Sequence, residues 1–183
     1  MLNHKKFDMM VYPWYDIVKE DNSLEQGDFL ENCPIIIPPI EYLTSEEVNV
    51  DVKEYDVVIM SQSCDLQQEK IDLVLVCPAW NFSEFEKTSD FFKSTSGKKA
   101  LKDGNVPGYH LLNKCDLEGY KAECRVVDFR NVYSIHLNCL KDIIAKKDKR
   151  LRLLSPYREH LSQAFARFFM RVGLPTPISF GQV

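Results

Sequence analysis

No apolar run in this chain approaches the roughly 18–20 residues that a membrane-spanning helix needs, so neither a membrane partner nor a helical anchor is expected. The opening Met1-Leu2-Asn3-His4-Lys5-Lys6 is not followed by the apolar stretch of a signal peptide, and the expected localisation is cytoplasmic. No two of the six cysteines, at 33, 64, 77, 115, 124 and 139, are spaced as CxxC, so the standard zinc-ribbon signature is missing. Nothing marks the chain as secreted, which favours reduced thiols serving mostly as small core hydrophobes over a disulfide framework. Internal repeats are absent, and nothing in the sequence calls for a cofactor.

What is present suits one folded domain. The 183 residues are 45% apolar and 27% charged, an ordinary soluble balance with enough apolar side chains for a core. We expect a single domain over residues 1–175 and a short tail over 176–183. The net charge of −4 is unevenly spread. Residues 8–56 carry thirteen acidic and two basic side chains, whereas residues 140–171 carry nine basic and three acidic. Such blocks can attract each other within the fold or meet different partners. Overall acidity weighs against nonspecific nucleic-acid binding, while the basic C-terminal block leaves a local RNA contact open.

The stretch Tyr55 to Leu66, YDVVIMSQSCDL, organises the rest. Val57, Val58, Ile59 and Met60 form an unbroken apolar run that reads as a buried strand, then Ser61-Gln62-Ser63-Cys64-Asp65 turns abruptly polar. A second apolar strand, Ile71 to Cys77, follows a short polar connector, so an antiparallel pair ending at Pro78 is expected. Upstream, Gly27 permits a tight entry into the strand that begins Asp28-Phe29-Leu30. Ile35 to Ile37, flanked by Pro34, Pro38 and Pro39, reads as an edge strand or loop. The aromatic run Phe7 to Tyr15 is too apolar to be left in water.

Residues 82–104 read as a helical insertion, with Ser83 and Glu86 fitting a capping box. Tyr109 to Leu112, Cys124 to Val127 and Val132 to Ile135 are short strands. Leu137, Leu140, Ile143 and Ile144 then recur at helical spacing, and Lys146 to Arg150 reads as a basic connector. The last helix spans about 155–172, with Ser155 as cap, Pro156 in its first turn, and an apolar face through Tyr157, Leu161, Ala164, Phe165, Phe168 and Val172. These elements predict an α+β, mainly β architecture: a small, bent antiparallel sheet of about five to seven strands that closes into a barrel.

The order of elements resembles the MazF/PemK growth-inhibitor group over about residues 26–145. The resemblance rests on the Gly27-Asp28 strand start, the strand ending at Ser61, the strand ending in Cys77-Pro78, and Arg125-Val126-Val127-Asp128 leading toward a helix. It implies an SH3-like β-barrel with a C-terminal helix, in a fold that commonly pairs into homodimers. In that group, ribonucleases of toxin–antitoxin systems use an arginine before the second strand's apolar run and a threonine after the proline of the next. Here those regions read Lys53-Glu54-Tyr55-Asp56 and Pro78-Ala79-Trp80-Asn81, so the usual site is missing, and an acidic stretch would repel phosphate. SQSCDL, Pro156-Tyr157-Arg158-Glu159 and Arg171-Val172-Gly173-Leu174-Pro175 are also similar to segments of uncharacterised bacterial proteins of this size, some from defence-type loci.

The expected function is therefore a noncatalytic, MazF-like protein-binding or regulatory module in bacterial antiviral defence or stress response. The alternative is a metal-independent endoribonuclease toxin with a relocated site, using Arg125 or Arg130 with His110 or His136. Cys64 beside Asp65 is a candidate nucleophile, set against a strand-end cap in which Ser61, Ser63 and Asp65 satisfy backbone donors. Cys64, His110, Cys124 and His136 have the right ligand types for zinc but lack a paired spacing. Ser61, Gln62, Arg152, Arg158 and Arg171 are candidate binding residues, and the arginines have a competing role as partners of the acidic N-terminal half.

Overall fold

The computed structural model describes residues 12–19, 23–40 and 49–170. In chain order these form β1 (Tyr15–Lys19), β2 (Phe29–Ile37), β3 (Asp51–Ile59), α1 (Ser63–Gln67) and β4 (Leu73–Asn81). The insertion follows as α2 (Phe82–Phe85), a 3-10 turn (Glu86–Thr88), α3 (Asp90–Lys93) and α4 (Thr95–Lys102). Then come β5 (Tyr109–Leu112), β6 (Cys115–Leu117), β7 (Tyr120–Ala122), β8 (Arg125–Asp128), β9 (Tyr133–His136), α5 (Leu137–Ile144), β10 (Lys149–Leu153) and α6 (Tyr157–Phe169).

The fold is α+β with more strand than helix, and all strand pairs are antiparallel. The main sheet runs β2-β3-β4-β8-β5, with β9 also on β4, and two smaller sheets pair β1 with β10 and β6 with β7. Among the described residues the sheets do not close into a barrel. β10 meets β2 only at its mouth, through the bridge between Asp28 and Arg152 and the Leu153 N–H donated to the Gly27 carbonyl at 2.9 Å. Past that point a register shift between Leu30 and Cys33, with Asn32 at φ 49°, bends β2 away.

The focal run lies in the main sheet and is covered on both faces. Val58 and Met60 face one core with Phe29, Phe129, Leu153 and Leu161, while Val57 and Ile59 face another with Val74, Val76, Leu137 and Leu140. That is why Val57 to Met60 are uniformly apolar and not alternating. Helix α6 covers the first core with Tyr157, Ala164, Phe165 and Phe168, as its spacing requires, and α5 covers the second. The insertion buries Phe85, Phe92 and Leu101 on Val126 of β8.

Several local expectations are corrected. β4 does not stop at Pro78 but continues to Asn81. Pro78 falls between the last residue paired with β9, Val76, and the first paired with β8, Ala79, so the missing donor sits where the partner changes. Ser83 does not cap a helix; its hydroxyl donates to Glu123 Oε1 at 2.7 Å, and the insertion's caps are Ser89 and Ser94. Pro156, not Ser155, occupies the cap position of α6, without a side-chain bond. The supposed basic connector ends in strand β10. Phe7 to Val11, Arg171, Val172 and the tail lie outside the described residues.

Candidate functional site

After β3 the chain is pinned by its own polar side chains. Ser61 Oγ accepts from Leu75 N–H at 2.8 Å, Ser63 Oγ accepts from Gln26 N–H at 3.1 Å, and Gln26 Nε2 donates to the Met60 carbonyl at 2.7 Å. Two hydroxyls thus satisfy backbone donors at the strand end. Asp65 instead accepts from the Cys64 thiol at 3.7 Å, and Cys64 is exposed. Gln62, Ser63 and Cys64 face Arg158, Glu159, Ser162 and Gln163 of α6 across a polar pocket of about 430 Å³. SQSCDL and the Tyr157-Arg158-Glu159 stretch, remote in sequence, therefore meet in space.

No histidine lines that pocket. Arg158 is already engaged: Nη1 donates to Glu25 Oε2 and Nη2 to Glu159 Oε1, each at 3.2 Å. Glu159 stays below the usual carboxylate range; burial acts against its charge, but a backbone donor, Ser155 and Arg158 outweigh it.

Beneath lies a buried charge network. Asp28, fully shielded, accepts from Arg150 Nε at 2.7 Å and from Arg152 Nε at 2.5 Å and Nη2 at 2.9 Å. Arg152 Nη1 reaches Glu25 Oε1 at 2.7 Å, and both arginines donate to the Ser23 carbonyl. Burial opposes the charge of Arg152, yet the bond to and charge of Asp28 leave its pKa raised. The basic and acidic blocks thus meet inside the fold, and Arg150, Arg152 and Arg158 serve there.

Arg125 is 5% exposed, with its guanidinium 5.2 Å from the Phe29 ring centre. Its Nη2 donates to Glu31 Oε1 at 3.3 Å, an oxygen that also accepts from Tyr120, and its Nε and Nη1 are buried without a bond. Arg130 grips Asp128 through two bonds of 3.1 Å and lies 4.4 Å over the Tyr109 ring, in a pocket of about 350 Å³ with Trp80 and Phe85. His136 caps α5, its Nδ1 accepting from Asn138 N–H at 3.2 Å.

His110, on β5, stacks over Phe129 and opens into a different cleft of about 870 Å³ between the end of the insertion and α6. Burial, then the charges of His160 and Arg167, lower its pKa to about 4. Sequence reading passed over His160 and Arg167. The available signal was a polar stripe on α6, His160, Gln163 and Arg167, at helical spacing.

The relocated ribonuclease candidates do not share one pocket: Arg125 is sealed under Phe29, Arg130 holds Asp128 in one pocket, His110 lines the neighbouring cleft, and His136 sits at a helix start. Cys64, His110, Cys124 and His136 are likewise dispersed. Among the described residues no group of three or more His, Cys, Asp or Glu side chains is placed to hold a metal ion.

A mostly apolar groove of about 640 Å³ is lined by Ile36, Val52, Tyr133, Ile135 and Ile143, with His136 among its polar members, and Ile36 is 64% and Val52 59% exposed. No known family model matches this chain, and no curated protein matches it either.

Proposed function

We propose that this chain is a noncatalytic, MazF-like module with an SH3-like core, which binds a protein partner in bacterial defence or stress response. The observation that carries the reading is the division of its surface chemistry. Three of the four arginines of the basic C-terminal block among the described residues, Arg150, Arg152 and Arg158, are committed internally, to Asp28, Glu25 and Glu159, whereas Ile36 and Val52 stand open beside an apolar groove. Exposed aliphatic side chains around a concave apolar surface are the chemistry of a protein contact. A partner would seat an apolar segment between β2 and α5.

The test is co-expression with the products of neighbouring genes, followed by size-exclusion chromatography with light scattering. A defined complex that is lost in Ile36→Lys/Val52→Lys supports the reading. No complex with any neighbour product, together with cleavage of a mixed RNA substrate under metal-free conditions, overturns it in favour of the endoribonuclease alternative.

A further inference from the structure

The cleft at His110 has a composition that the protein-binding reading does not use. Its wall on α6 carries His160, Gln163 and Arg167, and its opposite wall carries Lys102 and Asp103 at the end of α4. The one carboxylate among these is already matched, Asp103 Oδ2 lying 2.8 Å from Lys99 Nζ. Arg167 makes only a long bond from Nε to the Gln163 carbonyl, at 3.4 Å, and no carboxylate lies against Lys102, His160 or Arg167 among the described residues. Positive charge is thus concentrated over a concave surface without an internal counter-ion.

The remaining wall is apolar: Pro107, Ala164 and Met170, beside Tyr109, whose ring is already packed by Arg130, Phe85 and Phe92. A volume of about 870 Å³ is in the range of small-molecule sites. His110 is neutral near pH 7, so it presents one donor and one acceptor nitrogen there, with His160 and Arg167 close enough to depress its proton affinity further.

We propose that this cleft binds a phosphate monoester attached to an apolar group, a ligand of nucleotide size. Arg167 and Lys102 supply charge for the phosphate, and His110, His160 and Gln163 supply directional hydrogen bonds. Pro107, Ala164 and Met170 cover the apolar group. The site shares no residue with the apolar groove, so either proposal can fail without the other.

Isothermal titration of the full chain with AMP, with adenosine alone and with variants tests this. AMP is expected to bind, adenosine to bind far more weakly, and the exposed-site variants Arg167→Gln and Lys102→Gln to weaken AMP by about tenfold each, the scale of one charge-assisted hydrogen bond. Lys121→Gln, on the exposed face of β7 and outside the cleft, leaves AMP binding unchanged. In parallel, AMP shifts the imidazole NMR signals of His110 and His160. No AMP binding at millimolar concentration, equal binding of adenosine, or an Arg167→Gln variant that binds AMP normally would overturn the proposal.

Discussion

Asp28 and Arg152, 124 residues apart in sequence, form a two-point ion pair: Nε to Oδ1 at 2.5 Å and Nη2 to Oδ2 at 2.9 Å, with the carboxylate wholly shielded from water. Arg150 adds a third bond to the same carboxylate. This contact joins β10 to the entry of β2, where the sheets are connected by a single bridge.

Removing the carboxylate takes a shared counter-charge from two buried guanidinium groups, although Arg152 keeps Glu25. Asp28→Ala is expected to cost about 3–5 kcal/mol, the range for breaking one side of a buried pair. Urea denaturation followed by circular dichroism measures it. A loss under about 1 kcal/mol would mean the pair is not shielded as described.

The thiols should divide by burial. Burial pushes Cys33 up to about 11 and Cys77 to about 12, with Asp128 adding to the latter, while Cys64 and Cys139 are exposed. Only thiolate reacts with a disulfide reagent, so at pH 8 Cys64 and Cys139 should react first in the native protein, and Cys33 and Cys77 only on unfolding. Mass mapping of the labelled peptides decides this. Cys64→Ala should change stability by no more than about 0.5 kcal/mol, as for an exposed site.

The strands with one consistent pattern were legible in the sequence; those with buried charge were not. Val57 to Met60 and Leu73 to Cys77 are apolar enough to announce themselves, and α6 shows its face at helical spacing. β10 reads Lys-Arg-Leu-Arg-Leu, and its two arginines are buried along with its leucines, so no exposed polar face exists to mark the alternation. Its counter-charge, Asp28, lies 122 residues from Arg150, beyond any local pattern. The same holds for the sites. The SQSCDL segment was visible as a polar knot, but its pocket wall comes from α6, and the cleft at His110 is completed by a helix fifty residues away.

Gly97 has a packing role that the helical reading of residues 82–104 did not demand. A Cβ added there would lie 1.9 Å from the carbonyl oxygen of Phe91, a backbone atom that cannot swing aside. Gly97→Ala should therefore displace α3 from α4 and cost about 1–3 kcal/mol, typical of overpacking, despite the better helix propensity of alanine. Thermal melting measures the loss. An alanine variant as stable as the parent would show that the two helices pack more loosely than this.

The depressed His110 gives stability a defined pH dependence. The ring is largely covered, with Phe129 beneath, and the titratable groups lining its cleft are Lys102, Asp103, Tyr109, His160 and Arg167. Its pKa falls from 6.5 to about 4, first through burial, then through His160 and Arg167. Between those values the unfolded chain holds a proton that the folded chain refuses, so acid favours unfolding. The contribution is fully present above pH 6.5 and is lost as pH falls toward 4. It amounts to at most about 3 kcal/mol, reduced by the ring's partial contact with water. His110→Gln removes the titrating group while keeping hydrogen-bonding capacity. The difference in unfolding free energy between pH 7 and pH 5 should shrink in that variant relative to the parent. An unchanged slope would show that His110 titrates normally and that the cleft does not carry the positive field described.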